Sequence, residues 1–268
     1  MSEILTCSWG GATDVGKVRE RNEDSMAIIA VEQNGTRELE ASGGPFQVPG
    51  RGCIAVVADG MGGVRGGATA SNKLREFMLE IVGSSACPDP GEQSLRELVN
   101  TINQRILQIA REEPRLQGMG STLTLGWLLD HNLTLVNVGD SRLYRFRNHV
   151  IEQLSHDQSP VGRLLREGRI TAQEARIHPH RNVIDQAVGS HPEGLDPEIV
   201  TFPVETGDIY LLCSDGLNEE IWDHEMTEIL QEGKRMGKPL LAIAEDLVYR
   251  ALDAGGKDNV TTILLEIH

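Results

Sequence analysis

The chain has 268 residues, of which 39% are hydrophobic, and this length suits one large domain or two small ones. Its formal net charge of −15 argues against partners that need basic surfaces, so we expect it to bind neither nucleic acid nor anionic membrane. Aromatic residues make up only 4% of the chain, so we expect a core built mainly from aliphatic side chains.

Two strands and two helices are predicted in the N-terminal half, over 26–31, 53–58, 68–82 and 95–109. The polar, glycine-bearing stretch between the two strands, 32–52, is expected to be a hairpin or a loop. Ser94 is a plausible N-cap of the second helix, and Glu97 would complete a capping box with it.

The apolar period changes to that of strands after residue 121. Four strands are predicted there, separated by turn-forming residues that favour a single antiparallel meander: 122–128, 133–138, 142–146 and 150–154. A polar helical region, a buried strand, a helix and a closing strand follow over 159–175, 209–213, 239–254 and 260–265. Runs of strands alternating with pairs of helices predict an α+β fold, with two antiparallel sheets packed face to face and helices outside. We see no convincing domain boundary and expect one domain over 1–268.

The cysteines form no C-x-x-C pair, which argues against a zinc ribbon or a thioredoxin-like motif: Cys7, Cys53, Cys87 and Cys213. Their irregular spacing is typical of reduced thiols. Residues 1–11 show no secretory signal, and no apolar run reaches membrane-spanning length. We therefore expect a cytoplasmic protein.

Four aspartates lie close to a glycine or an asparagine at the ends of predicted elements: Asp24, Asp59, Asp215 and Asp258. Any one of them alone suits an ordinary turn. However, Asp59 and Asp215 each come at the end of an apolar strand, where a carboxylate is costly without a positive partner. Several such carboxylates from distant parts of one chain indicate a site for a hard cation such as Mg²⁺ or Mn²⁺. The residues by themselves leave a metal site and ordinary turns about equally open.

The glycine-rich stretch 60–67 matches neither G-x-G-x-x-G nor the P-loop. A metal-binding carbonyl at Gly60 fits better, because glycine lets the backbone approach closely. Arg19, just before Asp24, carries a planar guanidinium that suits phosphate oxygens, and Arg21 and Lys17 are alternatives.

No signature of a covalent nucleophile appears, since the chain lacks G-x-S-x-G and Cys213 lies inside an apolar strand. His156, His178 and His180 could act as general acids or bases, but they stand in polar segments without an obvious partner.

Six segments carry a resemblance to the metal-dependent protein phosphatases (the PPM, or type 2C, family) in their bacterial form. They occur in the family's order and cover nearly the whole chain: 13–24, 57–63, 120–122, 138–142, 213–217 and 257–261. The resemblance implies a four-layer αββα sandwich, with a mobile flap over about 156–190.

The resemblance also implies two bridged Mn²⁺ or Mg²⁺ ions. The ligands it implies are Asp24, Asp59, the carbonyl of Gly60, Asp215 and Asp258. Asp140 matches the residue that holds, together with Asp215, a third ion in bacterial members. Arg19 matches the phosphate-binding arginine.

The implied activity is hydrolysis of phosphoserine and phosphothreonine in proteins by a hydroxide that bridges the two ions, without a phosphoenzyme. The implied partners are phosphorylated proteins and a cognate eukaryotic-like Ser/Thr kinase, and we expect a monomer. Two alternatives remain open. One is a pseudophosphatase that binds phosphoproteins without cleaving them, which the presence of all four aspartates disfavours, and the other is an enzyme for phosphodiesters.

Two positions depart from the family pattern. Met61 stands where the animal-type members have a histidine proposed as general acid, and Val64 stands where many bacterial members have one. The sequence therefore identifies no protein group that protonates the leaving oxygen. The flap also differs in having Ser159 followed by Pro160.

Overall fold

In a computed structural model of the protein, residues 5–84 and 88–268 are described, except for the side chains of residues 63–65. Cys87 and the side chain of Val64 therefore lie outside the described part. Among the helices of that part, none has both the length and the apolar character needed to cross a membrane.

The strands are β1 (Thr6–Asp14), β2 (Asp24–Glu32), β3 (Gly35–Glu38), β4 (Ser42–Gln47), β5 (Cys53–Met61), β6 (Gly120–Ser121), β7 (Leu123–Leu129), β8 (Asn132–Val138), β9 (Arg142–Arg147), β10 (Val150–Gln153), β11 (Glu198–Pro203), β12 (Ile209–Cys213) and β13 (Val260–Ile267). The helices are α1 (Gly63–Val82), α2 (Glu92–Glu112), α3 (Pro160–Arg166), α4 (Ala172–Arg176), α5 (Asp215–Asn218), α6 (Asp223–Arg235) and α7 (Leu240–Ala254).

Two antiparallel sheets form the centre of the molecule. One has the strand order β10-β9-β12-β13-β1-β4, and the other has the order β11-β8-β7-β5-β2-β3, with β6 beside β5. Side chains alternate across each strand, so Val57 and Leu212 enter the layer between the sheets, while Val56 and Leu211 face outward. Helices α1 and α2 cover the outer face of the second sheet, and α6 and α7 cover that of the first. The predicted αββα sandwich is confirmed.

The predicted single meander over 122–154 is wrong at its midpoint. β7 pairs with β8 in one sheet, whereas β9 pairs with β10 in the other. The chain therefore crosses between sheets at 139–141, where Gly139 has a φ of +102°. Turn chemistry shows that a strand ends there, but it does not indicate which strand the next one will pair with. The crossing places Asp140 at the junction of the two sheets.

The stretch 32–52 contains β3 and β4, which belong to opposite sheets. The predicted capping box at Ser94 and Glu97 is wrong, because α2 already begins at Glu92 and has Gly91 as N-cap without a side-chain cap. A capping box is instead present at Thr171, where α4 begins.

β1, β11 and α6 were not predicted. The glycines of β1, Gly10 and Gly11, resemble turn residues, but Gly10 serves helix packing and Gly11 faces the side chains of Met26 and Ile263. A β-carbon on Gly10 would stand 2.2 Å from the backbone nitrogen of Leu241, so α7 lies directly on the strand.

Candidate active site

The pairing of β2 with β5 sets Asp24 directly opposite Asp59. Asp59 lies inside its strand rather than after it, because Gly60 and Met61 continue the strand by pairing with β6. The backbone N–H of Asp59 donates to the hydroxyl of Thr122 (2.9 Å), which fixes this end of the strand. Two carboxylates thus stand side by side at one end of the second sheet.

The first sheet brings the other two aspartates to the same end. Asp215 is the first residue of α5, separated from the end of β12 by Ser214 alone, and Asp258 lies in the loop before β13. Asp24 joins the two sheets there. Its Oδ2 accepts hydrogen bonds from the hydroxyls of Ser214 and Thr261, each at 2.7 Å.

Two buried carboxylate oxygens have no hydrogen-bond partner among the described residues: Asp24 Oδ1 and Asp215 Oδ1. A buried oxygen of this kind is costly unless a donor or a cation meets it. The pair therefore marks the point at which a positive ligand is needed.

Burial raises the pKa of Asp24 to about 6 and that of Asp140 to about 7. It also raises the pKa values of Asp59 and Asp215 well above the ordinary range, and neighbouring carboxylates add to both shifts. When these four carboxyl groups are ionised they repel one another, and either protons or cations can relieve this repulsion.

A cavity of about 500 Å³, called here the catalytic cavity, opens over this end of the sandwich. Asp59, Gly60, Asp140, Asp215 and Asp258 are among the residues in its wall. No three His, Cys, Asp or Glu side chains of the described chain already stand in the arrangement of a metal shell. The residues nevertheless fit a divalent cation, because all the metal ligands they offer are oxygen atoms. Two of those oxygens are buried without a hydrogen-bond partner among the described residues.

Gly60 cannot carry a side chain in this arrangement. A β-carbon there would stand 2.2 Å from the carbonyl oxygen of Gly67 and 2.6 Å from that of Glu23. Glycine thus permits a close approach of three backbone segments here, and the role of its carbonyl as a metal ligand stays a prediction.

Arg19 also lines the catalytic cavity, and its Nη2 donates to Asp258 Oδ2 at 2.5 Å. Arg21 lines the same cavity, whereas Lys17 is not in its wall. Asn259 holds the loop that carries both arginines. Its amide donates to the carbonyls of Val15 and Arg21, each at 2.9 Å, and its Oδ1 accepts from the backbone N–H of Glu23.

The three histidines considered as acid–base groups are not in the wall of the catalytic cavity. His156 hydrogen-bonds to Glu198, and His178 packs near His180 with ring centres 5.7 Å apart. Met61 does line the cavity and is 41% exposed.

Sequence reasoning missed several residues of this region. Ser214, Thr261 and Asn259 lie inside motif segments, but those segments predict a role in the site only for their aspartates. Glu219 lines the catalytic cavity, and no sequence pattern singles it out. It also lines an adjoining cavity of about 590 Å³, called here the side cavity, which shares Asp140 and Asp215 with the first.

Comparison with known proteins gives one family and several close structures. The family model for protein phosphatase 2C matches residues 42–249. The serine/threonine phosphatase stp of Listeria monocytogenes is 33% identical over 95% of this chain and 93% of its own length. The serine/threonine phosphatase of S. agalactiae superposes with a TM-score of 0.83 at 25% identity, covering 98% of this chain and 100% of that one. The catalytic domain of the phosphatase PstP, solved with two manganese ions, superposes with a TM-score of 0.77 at 31% identity over 98% and 99% of the two chains.

Added Mn²⁺ is expected to raise the melting temperature at pH 7.5. An ion that binds only the folded state at a hundredfold excess over its Kd contributes about 2.7 kcal/mol, which corresponds to roughly 5–10 °C for a chain of this size. Scanning calorimetry in Mn²⁺ and in EDTA measures the shift. Asp215→Asn should lose most of it, and Asp246→Asn, on α7 and away from the cavity, should keep it. An equal shift in both variants would contradict the metal site.

The metal-free protein is expected to become less stable as the pH rises from about 5 to 7.5. Asp24 and Asp140 bind protons more tightly in the folded state than in the unfolded state, so ionisation over this range favours unfolding. Each unit of pKa shift corresponds to about 1.4 kcal/mol, so we expect a loss of at least about 2 kcal/mol. Urea unfolding in EDTA at both pH values measures it.

Asp24→Asn tests the origin of this pH dependence. The neutral amide keeps the shape of the side chain but cannot ionise, so the loss of stability between the two pH values should be smaller. A loss as steep as that of the wild type would show that Asp24 is not responsible.

Proposed function

Because the chain belongs to the protein phosphatase 2C family and is a serine/threonine phosphatase of the bacterial type, we propose that it hydrolyses phosphoserine and phosphothreonine in proteins with bound Mn²⁺ or Mg²⁺. One observation carries the proposal. Carboxylates from both sheets line one cavity, with Asp24 beside Asp59 just behind its wall, and buried oxygens of Asp24 and Asp215 have no hydrogen-bond partner among the described residues.

We propose two ions, held by the residues of the motif segments: Asp24, Asp59, the carbonyl of Gly60, Asp215 and Asp258. The two manganese ions in the similar PstP domain support this number. When bound, such ions lower the pKa of water towards neutrality and offset the charge of a phosphate. A third, weaker ion is proposed at Asp140 and Asp215.

The protein's own groups keep the site in place. The hydroxyls of Ser214 and Thr261 occupy Asp24 Oδ2, which leaves Oδ1 free for a cation. Arg19 uses one N–H to pair with Asp258, and its planar fork has further donors for phosphate oxygens. Asn259 fixes the loop behind Arg19 through carbonyls on either side of it.

Water, rather than a side chain, is the proposed nucleophile. Cys213 is buried, and burial raises the pKa of its thiol to about 12, which makes it inert. Met61 in the cavity wall has a thioether with no proton to donate, so the proton for the leaving oxygen is proposed to come from water as well.

The same proposed activity leads to proposals for the flap, the substrates, the opposing enzyme and the location of the protein. We propose that segment 156–190, called here the flap segment, covers part of the substrate. We propose phosphorylated proteins as substrates, a Ser/Thr kinase as the opposing enzyme, and a monomer acting in the cytoplasm. Cys7, Cys53 and Cys213 are unpaired, which supports a reducing compartment.

The protein with Mn²⁺ should release phosphate from a phosphothreonine peptide, and EDTA should abolish the release. Asp215→Asn should lower kcat/KM by at least about 100-fold, because it would weaken the binding of a cation whose electrostatic contact with the transition state is usually of this size. Asp246→Asn is the matched control and should keep full activity. Turnover that persists in EDTA or in Asp215→Asn would refute the proposal, and faster cleavage of bis-para-nitrophenyl phosphate than of the monoester would indicate a phosphodiesterase.

Asp140→Ala should leave the fold and the binding of two ions intact but lose activity at low Mn²⁺. The reason is that Asp140 is proposed to hold only the third ion. Calorimetric titration with Mn²⁺ counts the ions, and a peptide assay over a range of Mn²⁺ concentrations follows activity. A variant that no longer binds any of the ions would overturn the assignment of Asp140.

A further inference from the structure

Arg176, the last residue of α4, lines the side cavity and contacts the turn between α5 and α6. Its guanidinium carbon lies 3.6 Å from the centre of the Trp222 ring. Its Nη1 donates to the carbonyl oxygen of Glu219 and its Nη2 to that of Ile221, each at 2.7 Å. A stacked guanidinium with two donors in its plane is a geometry that arginine provides and lysine does not.

The rest of α4 has little attachment of its own. The flap segment is fixed to the sandwich near its two ends, where Gln158 donates to Gly139 and Val188 pairs with Ser121. In the described ranges, the hydrogen bonds that join α4 to residues outside the flap segment are the two made by Arg176. A helix of five residues does not hold its place by its own stability. The hydrogen-bonded attachment of α4 to the protein outside the flap segment therefore depends on this side chain.

The turn that Arg176 contacts begins only four residues after Asp215. Arg176 supplies donors to the carbonyl of Glu219, the C-cap of α5, and to that of Ile221 in the turn that follows. The side chain of Glu219 lines both cavities. At Glu219 the turn thus borders both the catalytic cavity and the side cavity.

Several residues that follow α4 line these cavities. Arg181 lines the side cavity, and Asn182 and Ile184 line the catalytic cavity. Ile177, directly after Arg176, is 80% exposed and lines the side cavity. Any displacement of α4 would therefore change the surface that a bound polypeptide meets beside the catalytic centre.

We propose that Arg176 and Trp222 form a latch that holds α4 on the α5–α6 turn and so positions residues 177–184 to bind the polypeptide part of a phosphoprotein substrate. The inference rests on the phosphatase function proposed above and adds a determinant of substrate binding to it. Arg176 is a positioning residue, since it touches backbone carbonyls and a ring rather than the reacting atoms. A small aryl phosphate needs only the catalytic cavity, whereas a phosphopeptide also needs the positioned segment.

The latch is tested with Arg176→Ala. We expect KM for a phosphothreonine peptide to rise about tenfold, while kcat/KM for para-nitrophenyl phosphate changes less than about twofold. Hydrogen–deuterium exchange of amides in 172–184 should become at least about tenfold faster, because the segment loses its attachment. This second measurement does not depend on activity or on bound metal.

Arg176→Lys is the second variant, because it keeps the charge but loses the planar fork, and it should show both changes to a smaller extent. Arg169→Ala is the matched control, since this exposed arginine pairs with Glu167 inside the flap segment and should behave like the wild type. Wild-type exchange in both Arg176 variants, or an equal loss with peptide and aryl phosphate, would overturn the latch. If the wild type hydrolysed neither substrate, the phosphatase proposal would fail, whereas the exchange experiment would still decide whether the latch exists.

Discussion

The structure depends on one constraint, which is that several carboxylates must stand close together at the junction of two sheets. Asp24 comes from one sheet and is held by hydroxyls of the other, from Ser214 and Thr261. Both bonds go to the same oxygen and leave the second one buried without a partner. The contacts that pack the two sheets together therefore also position the carboxylates of the site.

That arrangement is unfavourable for the protein alone, because burial disfavours every added negative charge. The raised pKa values of Asp24, Asp59, Asp140 and Asp215 reflect this cost. The large aliphatic core on both sides of each sheet offsets it. A site with surplus negative charge is stabilised by bound divalent cations. The electrostatic cost of these buried carboxylates and the proposed chemistry therefore have the same origin.

The site is surrounded by two kinds of structure, the close-packed sandwich and the flap segment attached to it. The aspartates stand on strands, or directly beside strands, of a close-packed sandwich, and Asn259 holds the loop of Arg19. The flap segment instead reaches the sandwich through its ends and through Arg176. The proposed chemistry therefore lies on the close-packed sandwich, and the proposed contacts with the rest of a substrate lie on the flap segment.

The sequence by itself determined the two-sheet class of the fold, most strands and long helices, and the aspartates that meet at the site. It could do so because apolar periodicity and turn residues are local, and because the motif segments occur in a recognisable order. Only the tertiary structure decided that β8 and β9 belong to different sheets, that hydroxyls hold Asp24, and that Arg176 reaches Trp222. These facts depend on contacts between distant residues, such as Asp24 and Thr261, which are 237 positions apart. No local pattern encodes such pairings, because they arise from the packing of the whole sandwich.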